Sequence, residues 1–406
     1  MNLIRYFVRH TLKIVIIDDL FPHPACLDSW RGSEFNAYLK HFPQLCIYTT
    51  LLSRRLVDST SIESIMEQYA ASAPPKWNRR VRHINSNSFD DFMDLVDFED
   101  KLIHSPDFFY FLFLNNVYSS LGLIDRYRKP FLFTLYPGGG FGLENEESDK
   151  KLQAVVTNTN FRGVLVTSNV TYRYLIDNGF CKESQVFALW GGIISDEFLK
   201  TEQYYKNRYG FGKETFDICF VANRYSKIGQ DKGYDVFIKV AKLLFQKSSL
   251  FKFHVAGSFD TSVLDVSDLG DNITFYGIQD ALFFDSFYHD KDLFISPNQP
   301  NILGKGSFDG FPTGCAVDAL VHKTAVFCTD LTKPPQNMGQ YIPGKEIEII
   351  SIDCSEILNK VMYYFERPLD LAELGDNGAK KARELYNAEK QILPRIQWLE
   401  NNGISL

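Results

Sequence analysis

The sequence predicts an α/β protein of two doubly wound, Rossmann-like domains in series that face a central cleft, and three observations carry that prediction. Its strand candidates are near-continuous apolar runs, the pattern of parallel strands covered on both faces. Helical patterns separate these runs, so the chain reads as βα repeats. With 406 residues, 45% of them hydrophobic, it is long and apolar enough to fill two cores.

In the first half the strand candidates are residues 13–17, 45–50, 109–114, 130–136 and 164–168, with helical patterns at 33–41 and 171–178. Residues 53–89 are less regular: they contain Pro74-Pro75 and the arginines Arg54, Arg55, Arg79, Arg80 and Arg82, and read as an insertion. A second series follows Trp190-Gly191-Gly192, with strands expected at 217–222, 251–256, 272–276, 293–296, 325–329 and 347–352. After Gly233, the residues Val236, Phe237, Val240 and Leu244 recur at helical period, giving one apolar face to lay on a sheet. A hinge is expected at 188–196. The domains are then 1–190 and 191–375, with a helical segment, 376–406, closing the chain and packing back on the first domain.

Composition narrows the function. A net charge of −7 and the lack of a long basic run argue against nucleic acid as a partner. The 35 Phe and 21 Tyr fall largely in strand-like runs such as 109–114, where core packing accounts for them. Seven cysteines, without a C-x-x-C pair, fit a reducing cytoplasmic compartment and no structural zinc. Residues 1–17 are interrupted by Arg5, Arg9, His10 and Lys13, so they resemble neither a secretory leader nor a bilayer span. Those cations suit a solvated leader or a peripheral contact with an anionic membrane.

The densest chemistry lies at Ser307-Phe308-Asp309-Gly310-Phe311-Pro312-Thr313-Gly314-Cys315-Ala316-Val317-Asp318, directly after an apolar run. It reads as a strand-to-helix turn: Gly310 and Gly314 remove side chains where a backbone or phosphate comes close, Thr313 is placed to cap the helix, and Asp318 lies one turn inside it. A helix N-terminus offers N–H groups to a diphosphate, and carboxylates suit sugar and ribose hydroxyls. The same residues also fit an ordinary βα loop with capping aspartates. After the strand 217–222, Arg224 and Lys232 flank another strand-to-helix turn and supply a fork of donors and a point charge, unless they form only a solvated basic loop. Gly257 ends the next strand. In the first half, Tyr136 and Gly138-Gly139-Gly140 follow a strand, while Arg31 and Gly32 occupy the first βα turn with Ser33 as a helix cap. Doubly wound domains place ligands at the carboxyl ends of their strands, so these groups are expected to face a cleft.

The alternatives are weaker. The histidines are scattered without ligand spacing. Asp18-Asp19 ends a strand and Asp90-Asp91 lies in an acidic helical stretch, which argues against an acidic metal motif. Paired carboxylates also serve glycoside hydrolysis, but the basic pair fits a nucleotide-sugar better.

In their order along the chain these motifs resemble the retaining GT-B glycosyltransferases of family 4. Residues 163–168, the helix after them, 186–192 and Phe198 are similar to that family's interdomain passage. Arg224 with Lys232-Gly233 resembles its Arg…Lys-Gly motif, and Asp309-Gly310-Phe311 through Asp318-Ala319 its Glu-Gly-Phe…Glu-Ala motif. The resemblance implies that Arg224 and Lys232 bind the donor diphosphate and stabilise the departing nucleotide. It puts Asp309 against the donor sugar or its phosphate, Asp318 on the ribose hydroxyls, and the amides of Gly314 and Cys315, beside Gly310, on the phosphates. Gly257 matches the family's strand-ending glycine. Tyr136, Gly138, Gly139, Gly140, Arg31 and Gly32 would line the cleft, with Asn115 and Asn116 or Tyr136 where the family often has a histidine. Here both acids are aspartates, and the spacings within both motifs are longer than usual.

The resemblance further implies a nucleoside-diphosphate sugar as donor, a glycan or lipid-linked glycan as acceptor, retention of configuration, and no required metal or cofactor. It places the reaction in the cytoplasm, with membrane association at the cytoplasmic face. A nucleotide-sugar epimerase and a non-catalytic partner subunit of the same fold are the alternatives.

Overall fold

The apolar runs become the interior of two parallel sheets. In a computed structural model that describes residues 11–27, 29–53, 58–84, 106–194 and 205–404, the first sheet contains β1 (Ile14–Asp18), β2 (Cys46–Thr49), β3 (Val81–His83), β4 (Phe108–Leu112), β5 (Phe131–Leu135), β6 (Phe161–Val166) and β7 (Val186–Ala188). Their order is β3-β2-β1-β4-β5-β6-β7, and every pairing is parallel. All residues of β1, β4 and β5 are buried. That two-sided burial is why these strands are uninterrupted apolar runs.

The second sheet contains β8 (Phe216–Ala222), β9 (Phe251–Gly257), β10 (Ile273–Gly277), β11 (Leu293–Ser296), β12 (Ala325–Thr329) and β13 (Glu348–Ile350), ordered β10-β9-β8-β11-β12-β13 and parallel throughout. Strand order reverses between β1 and β4 in one sheet and between β8 and β11 in the other. Each reversal makes the two loops above it diverge to opposite faces, opening a crevice at the carboxyl ends.

Contacts divide the chain into two compact units, Met1–Ser195 with Ala388–Leu406, and Asp196–Asn387. The first core joins Ile14, Ile16, Phe35, Tyr38 and Phe108 to Ile396 and Leu399 of the helix Ala388–Ile404. The second is strongly aromatic, with Phe216, Phe220, Phe237, Phe251 and Phe253. Val236, Phe237, Val240 and Leu244 form the buried face of the helix Tyr234–Phe245, as their spacing predicts.

Several boundaries differ from those expected. The division expected at 375/376 falls inside a continuous helix, Pro368–Tyr386, and the chain changes unit only at 388. The reason is close packing: a Cβ at Gly375 or Gly378 would lie 2.5 Å from the carbonyl oxygen of Lys323 or Glu346, which ties that helix to the second unit. Two short edge strands, β3 and β7, add to those expected: β3 has little apolar signal, with Arg82 and His83 in three residues, and β7 is an apolar run of only three residues. Within 53–89, taken as irregular, β3 pairs with β2 through Val81, Arg82 and His83, and Pro75 opens the short helix Pro75–Asn78, as its fixed φ allows. Of the residues singled out in the sequence, Arg5, Arg9, His10, Arg54, Arg55, Asp90, Asp91, Phe198 and the end of the expected hinge lie outside the described residues.

All seven cysteines are free. Cys219 is buried within β8, and burial pushes its thiol up to about 12. Among the described residues no helix is long and apolar enough to cross a membrane.

Candidate functional site

The reversal point of the second sheet brings two of the sequence-predicted groups together. After β8 the chain turns back through residues 223–233, and Lys232 ends a single 3-10 turn, Gln230–Lys232. Asp231 shapes this loop by accepting from the Ser226 amide (3.0 Å) and hydroxyl (2.5 Å). The extra length between Arg224 and Lys232 is thus a compact turn. Gly233 is obligatory: its φ is +73°, and a Cβ there would sit 2.0 Å from the Pro297 carbonyl oxygen. That close approach holds the β8 loop against the β11 loop, reinforced by Gln299 N–H donating to the Asp231 carbonyl at 3.0 Å.

Lys232 Nζ therefore meets Asp309, at 2.7 Å from Oδ1 and 2.8 Å from Oδ2. Burial opposes the lysine's charge, but the Asp309 carboxylate outweighs it and holds the ammonium above its ordinary range. The Asn298 amide donates to Asp309 Oδ2 at 2.5 Å, and is itself oriented by the Ser296 hydroxyl donating to Asn298 Oδ1 at 2.6 Å. The lysine side chain is 13% exposed and the aspartate 33%, so the pair is partly desolvated and open on one side. Asp309, with Asn298 and Gln336, lines an open recess at the surface.

Beyond Asp309 the helix Gly314–Val321 begins. Thr313 holds the N-cap position, but its side chain makes no capping bond, contrary to the sequence expectation. The first amides, those of Gly314 and Cys315 among them, are left without a side-chain cap. Gly310 and Gly314 do not accommodate a neighbouring backbone either: a Cβ at each would meet nothing within 4 Å. Both open onto free space. The Cys315 thiol, pushed up to about 12 by burial, stays protonated. Asp318 lies one turn into the helix and is partly exposed as a residue, yet its carboxyl is sheltered enough that burial pushes it up to about 7.

Arg224 is exposed and belongs to the β8–β9 exit. Its amide donates to the Ser258 hydroxyl (2.7 Å), its Nε to the Ser258 carbonyl (3.1 Å) and an Nη to the Lys227 carbonyl (2.8 Å). Gly257 has a packing requirement of its own: φ is +118°, and a Cβ would fall 1.8 Å from the Ala222 carbonyl oxygen.

In the first unit Arg31, Asn116 and Tyr136 turn inward, while Asn115 and Gly138 to Gly140 stay exposed. Arg31 and Gly32 lie inside the helix Trp30–His41, which Ser29 caps, so Ser33 is not the cap and no glycine-rich phosphate turn forms there. Gly32 is needed because a Cβ would lie 2.0 Å from the Leu27 carbonyl oxygen. Arg31 Nη1 donates to Asp18 at 3.1 Å and Asp19 at 3.0 Å, which occupies the acidic pair considered for a metal. Asn116 donates to Asp19 at 3.3 Å. Tyr136 does not present its hydroxyl to a ligand: it donates to Glu34 Oε2 at 2.9 Å, and its ring packs on Trp30 and Phe113. Gly138, Gly139 and Gly140 all have positive φ, and Asn115 braces their loop, its N–H donating to the Gly139 carbonyl at 2.9 Å.

Sequence reasoning missed Asn298, Ser258 and Gln336 in the second unit and Glu34 and Arg395 in the first. Asn298 had a usable signal, as a polar residue just past the apolar strand β11. Gln336, in a loop after β12, had none. Among the described residues no group of three His, Cys, Asp or Glu side chains is arranged to hold a metal ion.

No protein-family model and no curated protein matches the sequence. Solved structures do. Sucrose-phosphate synthase from Thermosynechococcus elongatus is 13% identical, with 97% of this chain and 100% of that chain covered at a TM-score of 0.65. The Anabaena protein HepE, solved in complex with UDP, is 14% identical over 97% of this chain and 100% of its own, at 0.66. A glycosyltransferase from Rickettsia africae gives 13%, 97%, 99% and 0.65 in the same terms. Such low identity speaks to fold. The chain has the GT-B fold, with two parallel-sheet Rossmann-like domains.

Proposed function

We propose that the protein transfers a sugar from a nucleoside-diphosphate donor to a hydroxyl acceptor, a glycan or lipid-linked glycan, as a retaining enzyme of family 4. The observation that carries this reading is the Lys232–Asp309 pair at the β8/β11 reversal, beside an uncapped helix N-terminus. A cation, open amides and a carboxylate within one set of loops suit a diphosphate joined to a polyol. HepE, of the same fold, was solved with UDP. In the reaction the bond from the anomeric carbon to the diphosphate breaks, the nucleotide leaves with the electron pair, and the acceptor oxygen forms the new glycosidic bond as its proton passes to the departing diphosphate oxygen. Lys232, Arg224 and the amides of Gly314 and Cys315 stabilise the charge on the leaving diphosphate. Asp309 faces the sugar and Asp318 the ribose. No metal is required in this scheme, and the seven free cysteines suit the cytoplasm, including the cytoplasmic face of a membrane.

A thermal-shift panel of UDP, GDP, dTDP, CMP and their common sugar conjugates, with and without EDTA, tests the reading, because a ligand of the native state raises its apparent stability. A shift with one nucleotide, unchanged by EDTA and lost in Arg224→Ala, is expected. No shift with any member of the panel refutes the proposal and favours a non-catalytic subunit.

The raised Asp318 pKa yields a second expectation. Ribose hydroxyls donate to the ionised carboxylate, so binding lowers that pKa and releases a proton. Affinity for the sugar conjugate is then highest above pH 7 and falls by up to about tenfold per unit below it. The ligand-free fold shows the opposite trend, losing stability as pH rises from about 4 to 7, where the folded carboxyl keeps a proton that the unfolded one has lost. Titration calorimetry at pH 6, 7 and 8 checks this. A slope that persists in Asp318→Asn removes Asp318 from the ribose.

A further inference from the structure

We infer that the recess beside Asp309 receives the transferred sugar and that Gln336 accepts a hydrogen bond from one of its hydroxyls, an assignment that rests on the donor reading above. Gln336 is 7% exposed and lines the recess. Its Nε2 donates to the Asp309 carbonyl oxygen at 2.9 Å. A carbonyl only accepts, so the atom facing it must be the amide nitrogen, and the orientation of the side chain follows from chemistry. The other atom, Oε1, is buried and has no hydrogen-bond partner. A buried acceptor left unpaired costs about 1–3 kcal/mol, and native proteins carry few of them.

The loop is built to hold this acceptor still. Asp330 grips it from below, accepting from the Gln336 amide at 2.9 Å and the Asn337 amide at 2.8 Å. Asn337 closes the far side, donating to the Tyr341 carbonyl at 2.9 Å and accepting from the Tyr341 amide at 3.0 Å. A fixed, unpaired acceptor selects a ligand that brings a donor. Phosphate oxygens only accept and would repel Oε1, which leaves the diphosphate to Lys232 and the helix amides. A sugar hydroxyl donates. Gly310, with nothing within 4 Å of its missing Cβ, keeps the space beside Asp309 clear. Asn298 differs, since its oxygen already accepts from the Ser296 hydroxyl and its amide donates to Asp309.

The test compares a bare nucleotide with its sugar conjugate, using the tightest-binding pair from the thermal-shift panel. Gln336→Met keeps the length and packing of the side chain but removes both polar atoms. The expected result is an affinity within twofold of wild type for the nucleotide and about tenfold weaker for the conjugate. Equal losses for both ligands would mean that Gln336 only supports Asp309 and the loop, and no loss for either would also overturn the inference. A second arm uses the unmodified protein with conjugates deoxygenated at single ring positions: one position is expected to lose about tenfold in wild type and nothing further in Gln336→Met. If no deoxygenation weakens wild-type binding, Gln336 reads no hydroxyl. Absence of binding by every nucleotide, with or without sugar, sinks the donor reading itself, and this inference with it.

Discussion

Lys232→Ala protein remains folded but loses donor affinity by about 10- to 100-fold, the worth of a hydrogen bond between charged partners. Slow hydrolysis of the bound donor falls further, by about 10²–10³, because the lysine's charge counts most as the diphosphate departs. Two magnitudes separate this from a folding defect. Breaking a deeply buried ion pair costs about 3–5 kcal/mol, whereas an exposed one costs under about 1 kcal/mol. Lys232 is 13% exposed and Asp309 33%, so the loss of stability belongs between these limits, at about 1–2 kcal/mol. Asp309→Asn separates the partners. It frees the ammonium from its internal carboxylate, so affinity for the bare nucleotide rises while turnover falls. Calorimetry and a donor-hydrolysis assay on both variants measure these effects; wild-type affinity in Lys232→Ala would remove the lysine from the donor site.

The second large effect concerns stability alone. Glu34 is fully buried in the first unit and accepts from the hydroxyls of Tyr38 (2.8 Å), Tyr110 (2.9 Å) and Tyr136 (2.9 Å). Burial, and then the charge of Glu34, push all three phenols well above their ordinary range. Arg395, also fully buried, donates to Gln391 on its own helix and keeps its charge despite burial because Tyr136 and Glu34 lie beside it. Glu34→Ala strands the hydroxyls of Tyr38 and Tyr136 and removes the carboxylate beside the buried Arg395 guanidinium, while Tyr110 keeps Thr134 Oγ1 at 2.6 Å; the loss should cost the first unit about 3–5 kcal/mol. Glu34→Gln keeps an acceptor and should cost markedly less. Denaturant unfolding followed by tryptophan fluorescence reads both, since Trp30 packs on Tyr136. An alanine variant within 1 kcal/mol of wild type would show that the network has other acceptors.

The doubly wound fold was legible because two-sided burial leaves a one-dimensional trace. β1, β4, β5, β8 and β11 are apolar runs that need no knowledge of their neighbours to be seen as strands. β3 lacks that trace, because this three-residue edge strand carries Arg82 and His83. Local turn chemistry was less reliable. The sequence placed the helix cap at Ser33, but Ser29 holds it, since many residues can cap and only the chain path selects one. Thr313 reached the expected cap position without using its hydroxyl.

The residues of the site divide in the same way. Composition and order alone placed the candidate residues at strand ends, because loops that follow buried strands must lie at one edge of a parallel sheet. They also singled out Lys232 and Asp309. Only the tertiary structure decided that these two meet, through the bare backbone of Gly233 against Pro297, and that Arg31 and Tyr136 face partners inside their own unit. It also brought forward Gln336, which acquires its meaning from a carbonyl 27 residues away in the chain. Which strands are buried is a property of segments. Which donor is left without an acceptor, or which acceptor without a donor, is settled only when distant segments come within hydrogen-bonding distance.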